Sequence, residues 1–519
     1  MTGPAPSTLP EALRRAGEDN AAVTVRFDGA ARPANARVGT LMADALAIAG
    51  ALQSRGIQAG DVVAVQLPNW YEGAVAQIAV ALCGAVLVPI VQIYGAHELG
   101  FILRQSGACA FILPGTWRGR DFASMVDTIG ELPDLRTIVV VADDAPTGWL
   151  TWAELTAIGG TYQAPWIAPD DVALLVYTSG TTADPKGVQH SHATLLAEVF
   201  SEVATGPAGG DAVHLAVFPS GHVAGLLGLL RMVVLGTPTI LMDVWNPARA
   251  AHLIDEYGVT WSVGAPVHLA ALLDQRDAGS VSLSTLREYM VGAASVPASL
   301  VERADAAGIS AYRCYGSSEH PTVSSGRPTD PLSKRAFTDG QLVAGNEARL
   351  VDEIGNDVAT GGEGELVTRG PELFVGYREP ALDRAAFLPA GWFRTGDIGR
   401  FDADGYLMIT DRKKDIIVRG GENISSKEIE DILATHPQVA EVAAVGAPDD
   451  RYGERVCVYV VLRDGPTLDL ESVANHFQAA GVARQKTPER LVVVDELPRT
   501  AAGKVQKFVL REALRAPVS

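Results

Sequence analysis

A chain of 519 residues, 47% hydrophobic and 20% charged, is longer than one hydrophobic core ordinarily serves, so two or more domains are expected and a disordered or fibrous protein is excluded. Its formal charge of -19 argues against a nucleic-acid surface, which needs a concentrated basic face, and any anionic ligand must find a local basic site. The four cysteines, Cys83, Cys109, Cys314 and Cys457, lie too far apart for a zinc knuckle or redox dithiol and suit a reducing cytoplasm.

Pro4, Pro6 and Pro10, followed by Glu11, Arg14 and Arg15, interrupt any apolar run at the N-terminus, so secretion is not expected. From Leu41 to Leu113, helical periodicity (Leu41 to Ser54) alternates with short apolar runs (Val62 to Gln66, Ala85 to Ile90, Ala110 to Leu113), the rhythm of an α/β protein. The long apolar stretch Ala74 to Val91 is broken by Gln77, Gly84 and Pro89, and His222 to Met242 by Arg231, Gly236 and Pro238. Neither is predicted to cross a membrane. The alternation resumes with Ala212 to Phe218, Thr239 to Met242, Trp261 to Val263 and Tyr289 to Val291, giving a large, mostly parallel sheeted region to about residue 400. Gly-rich turns between Gly340 and Thr410 predict an antiparallel section within it.

After Asp411 a smaller α+β unit is predicted, so the division falls at 1–411 and 412–519. Its first helix, Ser426 to Thr435, has Ser425 as N-cap and Glu428 three residues on, a capping box. Strands Val442 to Val445 and Val456 to Leu462, helix Leu470 to Ala480, strand Leu491 to Val494 and a last helix from about Val505 complete it.

Four segments carry chemistry. Directly after the apolar run Val172 to Val176 comes Tyr177-Thr178-Ser179-Gly180-Thr181-Thr182-Ala183-Asp184-Pro185-Lys186-Gly187. Its hydroxyls, glycines and single lysine offer N–H groups, O–H groups and a positive charge to phosphate oxygens. It is not a Walker A loop, because Pro185 precedes the lysine and Gly187 follows it. Further on stand Tyr315-Gly316-Ser317-Ser318-Glu319, then Arg394-Thr395-Gly396-Asp397 with Asp411-Arg412-Lys413-Lys414, and last Pro498-Arg499-Thr500-Ala501-Ala502-Gly503-Lys504.

In this order the set resembles the adenylate-forming superfamily of acyl-CoA synthetases, luciferases and peptide-synthetase adenylation domains, over nearly the whole chain. The family's loop usually has Gly where Ala183 stands, and Thr where Ser318 stands. The resemblance implies a two-domain enzyme that activates a carboxylic acid with ATP as an acyl adenylate, releasing pyrophosphate, and then transfers the acyl group to coenzyme A, releasing AMP.

By that resemblance Thr178, Ser179, Gly180, Thr181, Thr182 and Lys186 hold phosphate. Tyr315, Gly316 and Ser317 lie along the nucleotide, Ser318 bonds the α-phosphate, and Glu319 holds a magnesium ion. Asp397 accepts the ribose hydroxyls with help from Arg412, and Lys504 is the adenylation lysine. His222 stands at the entrance of an acyl pocket that includes Gly292, Ala293 and Ala294. Lys414 is the hinge about which the small domain swings to bring Arg419, Gly420 and Gly421 to the thiol substrate.

A small-molecule acid, ATP and coenzyme A are therefore the expected partners, with no nucleic acid and with a homodimer compatible. A carrier-loading adenylation enzyme shares every motif and differs only in acceptor, but Gly503-Lys504-Val505-Gln506-Lys507 resembles the acyl-CoA synthetases. A silent nucleotide-binding module disagrees with the retention of Lys186, Glu319, Asp397, Arg412 and Lys504. A hydrolase would need a Gly-x-Ser-x-Gly elbow, which is missing. The mostly small or apolar segments Leu226 to Leu230 and Val291 to Ala294 point to a hydrocarbon acid, with no Asp, Arg or Lys expected to read it.

Overall fold

The computed structural model describes residues 7–178, 185–201, 211–359, 361–419, 422–449, 452–463, 467–480, 484–500 and 503–515. The phosphate-loop residues Ser179, Gly180, Thr181, Thr182 and Ala183, and the glycines Gly420 and Gly421, lie outside the described residues.

The chain is α/β with an α+β C-terminal part. Two large sheets carry the body. One, of eight strands, runs in the order Gly376–Tyr377, Lys186–Ser191, Val172–Thr178, Val86–Pro89, Val62–Val65, Ala110–Pro114, Thr137–Val141, Leu150–Thr151. The other, of nine, runs Gln341–Leu342, Ser324–Ser325, Ser310–Tyr315, Glu288–Val291, Trp261–Gly264, His214–Ala216, Thr239–Met242, Thr24–Asp28, Ala34–Arg37.

Their central strands are parallel and apolar at nearly every position, as strands covered by helices on both faces must be. Within these two sheets parallel pairing ends at Ser310–Tyr315, earlier than the predicted residue 400: the link from Tyr315 to Ser324 is too short for a crossover, and Ser324–Ser325 and Gln341–Leu342 pair antiparallel.

The Ala74 to Val91 stretch is broken at Gly84, where φ is +66°, between the helix Tyr71–Leu82 and the strand Val86–Pro89. Among the described residues no helix is long and apolar enough to cross a membrane.

A third sheet, antiparallel, contains Glu347–Val351, Gly364–Arg369, Trp392–Phe401 and Leu407–Arg412. It is tied to the nine-stranded sheet by one buried side chain. Asp339 accepts two hydrogen bonds from Arg313, at 2.9 and 2.6 Å, through one carboxylate oxygen. Its other oxygen accepts the Ile409 N–H at 2.8 Å. Both residues of this pair are about 7% exposed, so losing one partner would strand a buried charge and cost about 3–5 kcal/mol. Asp339 thereby sets the strand that ends in Tyr315 against the strand that ends in Arg412.

The C-terminal sheet is built on the hairpin Val439–Asp449 and Gly453–Leu462, longer than predicted, flanked by Ile417–Arg419 and Arg490–Val493. Its helix Ser426–Leu433 has the Ser425 cap, which accepts the Glu428 N–H at 3.1 Å. The reciprocal half of the capping box does not form. The Glu428 carboxylate pairs with Lys486 at 2.6 Å instead, a charge-assisted bond that outcompetes a neutral backbone donor.

Candidate active site

The expected site residues converge where the ends of these sheets meet. Tyr315, the last residue of its strand, donates its hydroxyl to Asp397 Oδ2 at 2.6 Å. Arg412 Nε lies 2.8 Å from Asp397 Oδ1. The pairing is fixed by register, since Asp397 and Arg412 sit opposite one another on neighbouring antiparallel strands. Asp397 is 3% exposed. Each of its oxygens keeps a further lone pair, so the carboxylate can still accept two hydroxyls. Burial, then the Asp397 charge, holds the Tyr315 phenol well above its ordinary range, so it stays a donor.

Gly316 is required by sterics: a Cβ there would fall 1.9 Å from the Pro321 carbonyl oxygen. Beyond it, the Ser318 carbonyl lies 2.7 Å from Nε2 of the buried His190. A carbonyl only accepts, so His190 carries its proton on Nε2, and burial keeps the ring neutral. Glu319 accepts the Tyr377 hydroxyl at 2.8 Å, and Phe374 N–H bonds the Glu319 carbonyl. The Tyr377 ring also faces Lys186, whose Nζ is 5.6 Å from the ring centroid, within the reach of a cation–π contact. Thr178, at the end of its strand, pairs in register with Lys186.

Lys504 enters from the C-terminal part on a turn closed by Gly503 N–H to Thr500 O at 2.9 Å and Thr500 N–H to Lys504 O at 2.8 Å. Gly503 has φ +79°, a left-handed conformation that costs a glycine little. A Cβ on Gly503 would touch Val267 and Ala265 of the large body, so the turn is docked. Burial, then the Arg412 charge, pushes the Lys504 ammonium down to about 8, against the pull of Asp397 and Glu319.

His222, at the N-cap of the helix Val223–Val234, senses the same lysine. Burial, then Lys504, pushes its imidazole down to about 4, and its Nε2 has no hydrogen-bond partner among the described residues. Gly292 faces Cys314 so closely that a Cβ would lie 2.5 Å from its sulfur. Ala293, next in the chain, is held at φ +67°, and Ala294 is exposed.

Lys186, Tyr315, Ser318, Glu319, Asp397, Arg412, Lys504 and His222 are thus brought together. Arg419 is not: it pairs with Glu489 at 2.8 Å and covers the Tyr452 ring at 4.4 Å. Lys414 is exposed, two residues past Arg412.

Sequence reasoning missed Tyr377, His190 and a buried cluster of Glu198, Arg231 and Glu372. Tyr377 had a signal in Gly376-Tyr377-Arg378, whose glycine adopts φ +137°. The others had none, because the partners that place them lie far off in sequence, as His190 and the Ser318 carbonyl do at 128 residues and Arg231 and Glu198 at 33.

Among the described residues no group of three or more His, Cys, Asp or Glu is placed to hold a metal. A lone carboxylate such as Glu319 suits magnesium, which takes one or two carboxylates plus phosphate oxygens and water.

The AMP-binding enzyme family model matches residues 37–378, and the model of the AMP-binding enzyme C-terminal domain matches residues 428–504. The medium-chain fatty-acid–CoA ligase of Escherichia coli (strain K12) is 36% identical over 471 residues, 90% of this chain and 83% of that one. The 7a-methyl-1,5-dioxo-octahydro-1H-inden-4-yl propanoyl:CoA ligase of Rhodococcus jostii (strain RHA1) is 34% identical over 525 residues, 98% and 99% of the two chains. Among solved structures, the anthranilate CoA ligase AuaEII with anthranoyl-AMP superposes with TM-score 0.89 at 26% identity, covering 98% and 97%.

Proposed function

Since this chain belongs to the AMP-binding enzyme family, we propose a division of labour at its site for the ATP-dependent joining of a carboxylic acid to coenzyme A. The enzyme is an AMP-forming acid–thiol ligase working through an acyl adenylate. In the first half-reaction the carboxylate attacks the α-phosphorus of ATP and pyrophosphate leaves. In the second a thiolate attacks the acyl carbon and AMP leaves.

The observation that carries the assignment is the meeting of Lys504 with the Tyr315–Asp397–Arg412 group. Tyr315 and Asp397 hold the adenosine, with Asp397 accepting from the ribose. Ser318, fixed through its carbonyl by His190, offers its hydroxyl to the α-phosphate. Lys186 faces the outer phosphates together with Thr178, Ser179, Gly180, Thr181 and Thr182. Lys504 lies where an incoming carboxylate meets an anionic phosphate, and a cation there stabilises charge that develops in the transition state. Glu319, oriented by Tyr377, would hold Mg2+, which neutralises charge on the pyrophosphate leaving group. Holding carboxylate and α-phosphate together removes translational entropy from the barrier.

For the second half-reaction we place the domain boundary at 411/412 and the hinge at Lys414. Rotation there would withdraw Lys504 and present the segment of Arg419, Gly420 and Gly421 to the pantetheine arm. The cysteines are free, in keeping with a reducing cytoplasm. AMP and pyrophosphate release measured across a panel of carboxylic acids, with and without coenzyme A, tests the reading. Acid-dependent pyrophosphate release with AMP release accelerated by coenzyme A is expected; indifference to coenzyme A would point to another acceptor. Replacing Lys414 with Pro should slow thioester formation more than adenylation, and equal loss in both would refute the hinge.

A further inference from the structure

The helix Val223–Val234 is buried on most of its circumference, yet Ala224, Gly228, Arg231 and Val234 retain solvent contact. These positions recur at helical spacing and form one accessible stripe. It begins beside His222 and Lys504 and reaches Arg231 after roughly 13 Å of helix rise. A Cβ on Gly228 would meet only the His214 ring, at 3.9 Å, so space runs alongside the helix at that level. Cys314 lines the same region, being only partly buried on an inner strand and lying within reach of the Glu198 and Arg231 charges.

The far end of this stripe is polar. Arg231 Nη2 binds Glu198 Oε1 at 2.5 Å and the Glu198 carbonyl at 2.8 Å. Its Nη1 forms no hydrogen bond among the described residues, and its Nε has no partner. His214, 7% exposed and stacked 4.3 Å from Trp261, leaves its buried Nε2 without a partner among the described residues. Glu198 is 1% exposed and also accepts the Thr322 hydroxyl at 2.7 Å. A hydrocarbon tail ending here would leave these polar groups unanswered and dry, which disfavours binding.

Resting on the acyl-CoA ligase reading, we propose that Arg231 and His214 are specificity-determining residues that hydrogen-bond an oxygen at the far end of the acyl group. The acid this site takes carries a ketone or hydroxyl roughly 13 Å from its carboxylate, rather than a plain hydrocarbon tail. Glu198 fixes the guanidinium in place as a positioning residue.

The test compares dodecanoate with the same chain bearing a ketone on its penultimate carbon, by AMP release and thioester formation. The wild type should prefer the keto acid by at least about tenfold in kcat/KM, because a site built to hydrogen-bond a group rejects the analogue lacking it. In the double variant Arg231→Met with Glu198→Gln, which removes both charges together, the ratio should fall to within about twofold. Gly228→Val should weaken both twelve-carbon acids relative to butyrate by filling the channel. Equal use of the two acids by the wild type, or an undiminished ratio in the double variant, overturns the proposal. Should the double variant not fold, the wild-type ratio and Gly228→Val still decide. Absence of AMP release with every acid would instead overturn the ligase reading itself, and this inference with it.

Discussion

The two halves of the site are built differently. Tyr315, Asp397 and Arg412 end or sit within strands, their register is set by the backbone, and Asp339 pins those strands together from inside. Lys504 stands on a turn held by its own short-range bonds and by contact of Gly503 with Val267 and Ala265. On the proposed assignment the first half is a preformed receptor for a nucleoside, whereas the second is a charge delivered to it. An enzyme with two successive reactions in one site needs this asymmetry: the nucleotide must stay while the group that serves one step leaves before the other.

The largest effect that follows is selective. Lys504→Ala should lower acid-dependent ATP–pyrophosphate exchange by about 10²–10³-fold, the loss expected when a transition-state electrostatic contact is removed. Thioester formation from a supplied acyl adenylate should survive. Comparable loss in both half-reactions would show that the lysine belongs to the fixed receptor, and the comparison would collapse.

Asp397→Asn attacks the other half. It removes the charge that Arg412 and Tyr315 address while keeping the shape, and hydrogen bonds to charged groups contribute about 1.5–3 kcal/mol. The KM for ATP should rise about 10- to 100-fold, and both half-reactions should suffer, since AMP occupies the same receptor in each. An effect confined to kcat of adenylation would count against the preformed-receptor account.

How far this was readable in the sequence follows the same division. Short segments whose residues act on their neighbours were legible: the strand Val172–Thr178, the break of the apolar stretch at Gly84, and the segments that bring Tyr315 and Asp397 into contact. Contacts between distant segments were not. Nothing local marks His190 as the partner of the Ser318 carbonyl. Nor does anything mark Arg231, inside an apolar helix, as the partner of Glu198 rather than as an interruption. The Glu428 capping box failed for a related reason, because Lys486, 58 residues away, took its carboxylate. The apolar pocket expected without a charged reader ends, on the proposal above, at an arginine that only tertiary packing brings there.

The Lys504 ammonium, pushed down to about 8, sharpens the comparison through pH. If adenylation needs the cation, as proposed, kcat/KM for the first half-reaction should fall about tenfold per unit as pH rises beyond 8. The second half-reaction does not need Lys504 and should lack this limb. Arginine at this position would abolish the limb in whatever activity it retains. A limb that appears equally in both half-reactions would assign the titration to another group.

The smallest effect concerns stability and the cluster behind the acyl channel. Burial, then the Glu198 charge, pushes the Glu372 carboxyl up to about 9 from 4.5, so the folded chain keeps a proton there that the unfolded chain releases. Stability from this group is full below about 4.5 and is lost as pH rises towards 9, since the folded state binds the extra proton across that window. Glu372→Gln imitates the protonated acid permanently: its amide can donate to Glu198, and its oxygen can still accept from Asn346, which lies 3.3 Å from Glu372 Oε2. Between pH 6 and 9 the variant's Tm should decline less than that of the wild type, by about 2–4 °C over the range. Parallel Tm curves would mean that the carboxyl is already ionised at neutral pH, and that Arg231 faces two anions rather than one.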